Sequence, residues 1–126
     1  MSSRFLIPTL LGLSLFGLGC LVTAKPIPAD AKPVFTTYVS AIRTGDLATI
    51  DRLLCSTQNH DTVLTTYRSM ADSDRAMLAD AYAAASPDPA STDIQLEFII
   101  QPELSSGTLQ YQLILSKAGS AWCVED

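Results

Sequence analysis

Basic charge is sparse in this sequence. Eight Lys and Arg stand against 13 Asp and Glu, for a formal net charge of −5, and no basic run interrupts the acidic balance. A nucleic-acid surface needs Lys and Arg clustered along one face, so no nucleic-acid partner is expected. Histidine is nearly absent too. The one His lies among Gln58, Asn59 and Asp61, with no cluster of further ligands at metal-binding spacing around it. A zinc site takes three or four His, Cys or carboxylate ligands, so His60 reads as a solvated loop residue and no metal is expected. The acidic stretch Asp72-Ser73-Asp74 does not make a calcium loop, because Arg75 and Ala76 follow where oxygen ligands and a bend glycine are needed. The six glycines are scattered, with no phosphate-binding glycine loop and no Gly-x-Ser-x-Gly elbow. There is no internal repeat and no low-complexity tract. No cofactor and no catalytic residue are expected.

A length of 126 residues suits one domain. The most distinctive segment is the first. Arg4 is followed by 20 uncharged residues, rich in Leu, Phe and Gly, that end in Val22-Thr23-Ala24. A positive start, an apolar middle and a small-residue end are the pattern of a secretory signal peptide, here residues 1–24. Two other readings compete. Leu18-Gly19-Cys20 resembles the end of a bacterial lipobox, which makes Cys20 a candidate lipidation site, although Gly17 replaces the preferred aliphatic. An uncleaved anchor also has the length to span about 30 Å of hydrocarbon. Contact with a membrane is expected only in those two cases. Cleavage after Ala24 leaves 102 residues, with seven basic and all 13 acidic side chains and a net charge of −6. It also leaves two cysteines, Cys55 and Cys123. An exported chain with an even cysteine count oxidises them as a rule, so these two are expected to pair. A catalytic thiol has only His60 as a candidate partner, five residues past Cys55, which is weak support for nucleophilic chemistry.

Residues 25–33, with Pro26, Pro28 and Pro33, are expected to be an extended linker that holds the domain away from its N-terminus. Residues 34–126 form the domain. Val34, Phe35, Tyr38, Val39 and Ile42 line one helical face. Gly45 is placed to end that helix in the left-handed conformation, and Asp46 to cap the next through its side chain. Leu47, Ile50, Leu53 and Leu54 carry the second helix. Asp61 is the expected cap of a third helical stretch holding Val63, Leu64, Tyr67 and Met70. Ser73 or Asp74 then interrupts or re-caps it before Met77, Leu78, Ala81, Tyr82 and Ala85. After the break at Pro87 and Pro89 the period changes to two. Ile94, Leu96, Phe98 and Ile100 share one face, as do Leu109, Tyr111, Leu113 and Leu115, and a short strand carries Trp122 and Val124. Glu97 and Glu103 form an acid–base pair only if folding joins them, and Glu97 is expected on the solvent face. The expected class is α+β: three N-terminal helices on one face of a C-terminal antiparallel sheet of about three strands. Phe35, Tyr38, Tyr67, Phe98, Tyr111 and Trp122 fall at core spacings and are the candidates to line a pocket between helices and sheet.

Phe35-x-x-Tyr38 with Ile42, Gly45-Asp46 and Leu53-Leu54 resembles the opening helix pair of the nuclear-transport-factor-two-like superfamily. Tyr111-x-Leu113-x-Leu115-x-Lys117-x-Gly119-x-x-Trp122-x-Val124 is similar to that superfamily's closing hairpin. The resemblance implies a cone-like α+β fold, with helices wrapped on a curved sheet. It carries over no catalytic residue, because no acid, His or Tyr of the enzymatic members can be matched. The leading expectation is an exported, periplasmic or extracellular binding domain without enzymatic activity, with a small ligand or a protein as partner. The alternatives are an envelope inhibitor of the immunity-protein type and a small enzyme of the cone-shaped superfamily. A single tight protein partner marks the inhibitor, and a deep pocket with a buried carboxylate or His of perturbed pKa marks the enzyme.

Overall fold

The apolar periodicity at Phe35, Tyr38, Val39, Ala41 and Ile42 folds as helix α1, Lys32–Thr44. The structure, a computed structural model, describes residues 25–126. The signal segment and Cys20 lie outside the described residues. Gly45, at φ 70°, ends α1 in the left-handed region, and the Asp46 N–H closes back on the Ala41 carbonyl at 2.9 Å. The Asp46 carboxylate then caps α2, Leu47–Leu53, by accepting from the Thr49 N–H at 3.2 Å and its hydroxyl at 2.7 Å. The sequence determines this joint completely, because both signals are local.

Four helices form among the described residues, where three were expected. Met70 adopts an extended conformation and separates α3, His60–Ser69, from α4, Asp72–Ala84. The caps are also corrected. Asn59, not Asp61, accepts from the Thr62 N–H and starts α3, so His60 is the first residue of a helix. Ala71 precedes α4 without any side-chain cap. Asp74 is turned to other use: it is buried and accepts from the Ser105 N–H at 3.0 Å and from the Ser105 hydroxyl. Those bonds pin a small hairpin, Glu103–Leu104 (β2) with Gly107–Thr108 (β3), to the start of α4.

The main sheet holds β1 (Gln95–Ile100), β4 (Tyr111–Ala118) and β5 (Ala121–Glu125), antiparallel, in the order β1-β4-β5. Phe98 pairs with Leu113, Leu115 with Val124, and Lys117 with Trp122. The inward residues Leu96, Phe98, Ile100, Leu113, Leu115, Trp122 and Val124 join Tyr38, Ile42, Ile50, Leu78 and Tyr82 in one core. On the opposite face Gln95, Glu97, Ile99, Gln112 and Ile114 are never buried, so the helices cover one side only. Phe35 stacks on Phe98 with ring centres 4.4 Å apart, joining α1 to the sheet. Glu97, expected in solvent, is half-buried on the outer face and accepts from the Gln112 amide at 2.7 Å. Three apolar residues expected inside are not: Ile94 and Leu109 fall beyond the strand ends, and Met77 turns to the exposed side of α4. Periodicity assigns a face, but it does not report where a strand stops pairing.

Residues 25–31 are not a free spacer. The Lys25 ammonium donates to the Ser91 carbonyl at 2.8 Å, Asp30 pairs with Lys117 at 3.0 Å, and Ile27 packs on the core. The tail is not extended throughout: the Ala31 and Lys32 N–H groups both donate to the Pro28 carbonyl at 3.0 Å in a turn, and Pro33, expected in the linker, lies in the first turn of α1, where its missing N–H costs nothing. Among the described residues no helix is long and apolar enough to cross a membrane.

Candidate functional site

Along β5 the inward positions are Trp122 and Val124, and the same two-residue step carries past the strand to Asp126. Asp126 thus turns a carboxylate toward the helices. Its Oδ2 accepts from the Tyr38 hydroxyl of α1 at 2.6 Å and from the Tyr67 hydroxyl of α3 in a shorter contact. Its own N–H donates to the Gln58 side-chain oxygen at 3.1 Å. Asp126 is exposed as a residue, and the part of its carboxyl that meets the tyrosines is partly buried. Burial raises the carboxyl above the usual carboxylate range, and the two hydroxyl donors oppose that rise. Tyr38 and Tyr67 are held protonated, first by burial and then by the Asp126 charge. Tyr82 on α4 is pushed the same way by burial, then by Asp126 and Tyr111, and its hydroxyl is buried with no partner among the described residues.

Beside this carboxylate is a pocket of about 150 Å³. Its floor is Val63, Tyr67 and Leu78, all buried, and its rim is Thr62, Thr66, Met70, Tyr111 and Asp126. The walls are apolar apart from the rim hydroxyls and the carboxylate. A second groove, of about 320 Å³, runs along Ile27, Phe35 and Val39. It is larger, but its polar residues Lys32 and Thr36 are exposed and no buried polar group converges on it. Binding sites combine apolar walls with a few placed polar groups, and the smaller pocket has that character.

The six residues expected to line one pocket are divided by the fold. Tyr67 and Tyr111 line the pocket at Asp126, and Phe35 lines the other groove. Tyr38 and Phe98 are fully buried in the core, and Trp122 is buried beneath Lys117, whose ammonium lies 5.9 Å from its ring. Phe98 and Leu113 fill the inner face of the sheet. Cys55 and Cys123 are bonded through sulfur, beside a backbone bond from the Cys55 N–H to the Val124 carbonyl at 2.8 Å. His60 is not simply solvated. Its Nδ1 lies 2.6 Å from an Asp51 carboxylate oxygen and its Nε2 lies 3.1 Å from the Cys55 carbonyl. The Asp51 contact, and then the carbonyl, raise its pKa above 6.5. Glu97 and Glu103 do not pair: Glu97 takes Gln112, and Glu103 lies on the small hairpin. Among the described residues no three His, Cys, Asp or Glu side chains gather as metal ligands do.

Asp126 escaped the sequence reading. The signal that marks it is its parity with Trp122 and Val124, a carboxylate at an inward step. Compared with known protein families, with characterised proteins and with solved structures, the chain matches none of them.

Proposed function

We propose that this protein is an exported binding domain of the cell envelope that holds a small ligand in the pocket at Asp126. The observation that carries the reading is a carboxylate held by two tyrosine hydroxyls at the rim of an apolar pocket. The second oxygen of Asp126, Oδ1, has no donor among the described residues, so a ligand seated in the pocket can donate to it, and a hydrogen bond to a charged acceptor is among the stronger ones. Export is supported by the N-terminal pattern of residues 1–24 and by the Cys55–Cys123 bond, which persists in oxidising compartments. Membership of the nuclear-transport-factor-two-like superfamily, with its cone-like sheet, belongs to the same proposal. The order of helices before an antiparallel meander, and the Gly45-Asp46 joint, favour it.

Two measurements test the reading. A fragment screen by amide NMR is expected to shift residues around Thr62, Tyr67 and Tyr111 together. Hits that cluster elsewhere, or no hits, overturn the pocket. Intact mass of the protein recovered from the cell envelope is expected to correspond to a chain starting at Lys25. A diacylglycerol-bearing Cys20 makes it a lipoprotein, and an unprocessed chain confined to the cytoplasm overturns export.

A further inference from the structure

The pocket at Asp126 also carries an inference about what it holds, which rests on the binding reading above. We propose that its ligand is a small organic cation, a primary or secondary ammonium on a short apolar stem. An apolar cavity of about 150 Å³ holds a molecule the size of benzene, so the stem has about four to six carbons. The charge of the ligand follows from what surrounds Asp126. Arg43 pairs with Asp80, Arg75 with Asp72, Lys117 with Asp30 and His60 with Asp51, and among the described residues none of these cations reaches Asp126. Both tyrosine hydroxyls donate to Oδ2, which leaves Oδ1 able to accept from an N–H at the rim. The aromatic rings of Tyr67 and Tyr111 line the same space, and ring faces attract ammonium groups.

Other ligand classes fit less well. An anion would meet a carboxylate in a pocket whose lining holds no Lys, Arg or His. A bare metal ion is held by several charged or carbonyl oxygens, whereas Asp126 is the one carboxylate in the lining and the other side-chain oxygens there are neutral hydroxyls. A neutral alcohol can donate to Oδ1, but it brings no opposite charge to the carboxylate. The arrangement therefore selects for charge and for an apolar tail together.

The test is an amide NMR titration of the oxidised full chain at pH 7 with pentylammonium, pentan-1-ol and pentanoate. The expected result is saturable binding of pentylammonium, with shifts at Thr62, Thr66 and Tyr111, at least about tenfold tighter than the alcohol, and no binding of pentanoate. Asp126→Asn is expected to weaken the ammonium by about tenfold or more and the alcohol by clearly less. Alcohol binding as tight as ammonium, or pentanoate binding in the pocket, overturns the cation and leaves the pocket standing. No shift with any of the three removes the pocket reading as well. The comparison of three ligands on the unaltered chain decides the question even where the variant folds poorly.

Discussion

Three buried tyrosines differ in one respect that decides their energetics. The Tyr38 and Tyr67 hydroxyls donate to Asp126, and the Tyr82 hydroxyl has no partner among the described residues. Removing a donor from a carboxylate loses a charge-assisted hydrogen bond, whereas removing an orphaned buried hydroxyl removes a penalty. Tyr38→Phe is thus expected to lower stability by about 1.5–3 kcal/mol, and Tyr82→Phe to leave it unchanged or slightly higher, as read by urea unfolding. His60 gives a pH signature. Its folded pKa is raised above 6.5 by the Asp51 contact. The stability it contributes is therefore fully present below 6.5 and is lost as pH rises through the raised folded value. Unfolding midpoints measured from about pH 5 to about pH 9 should show that fall, and His60→Gln or Asp51→Asn should flatten it. Equal slopes in all three proteins would remove the bridge from the account.

Between elements, side chains do the work that backbone pairing cannot. The guanidinium of Arg75 spans the joint from α3 to α4. It donates to the Met70 carbonyl at 2.6 Å and the Tyr67 carbonyl at 3.3 Å, and it contacts the Asp72 carboxylate. Carbonyls at a helix end need partners, and here one side chain serves two. The same guanidinium lies against Gly45, where a Cβ would come within 3.2 Å of it. Arg75→Met keeps the stem and removes the donors, and is expected to cost about 1–2 kcal/mol with faster amide exchange at the end of α3. No change in either would show that water replaces the guanidinium. The sheet edges are treated similarly. The loop before β1 covers its outer edge: the Asp88 N–H donates to the Glu97 carbonyl at 2.7 Å, and the Glu97 N–H donates to the Ser91 hydroxyl at 2.9 Å. Leu54 and Cys55 cover part of β5. Covered edges resist pairing with other chains.

At the scale of the whole molecule, the Cys55–Cys123 bond ties the end of α2 to the last strand across a sequence separation of 68 residues. A closed loop of that length stabilises the fold by about 4 kcal/mol on the chain-entropy account. Cys55→Ser with Cys123→Ser is expected to lower unfolding stability by about 2–5 kcal/mol while leaving the core spectrum native. Reduction followed by alkylation should label both thiols, and without reduction neither. Labelling of both without reductant would sink the bond. The bond matters for the site as well, because Cys123 lies three residues before Asp126 and the Cys55 carbonyl meets His60.

Much of the fold is legible in the sequence where the signal is local. The one-sided spacing in α1, the Gly45-Asp46 joint and the alternation of Leu96, Phe98 and Ile100 each depend on neighbours within a turn or a strand. The count of helices was less legible, because Met70 breaks the chain without glycine or proline to mark it. Cap assignments failed at Asp61 and Asp74 for a related reason: several polar residues compete for one helix start, and local composition does not choose among them. Asp74 went to Ser105, 31 residues away. The candidate site was the least legible part. Tyr38, Tyr67 and Tyr82 lie on three helices and Asp126 lies beyond the last strand. Sequence by itself determined the order of helices and strands and which face of each is apolar, since both follow from periodicity. Only the tertiary structure decided that the Tyr38 and Tyr67 hydroxyls meet the Asp126 carboxylate beside an apolar pocket, because that meeting depends on how the elements pack and not on any spacing within them.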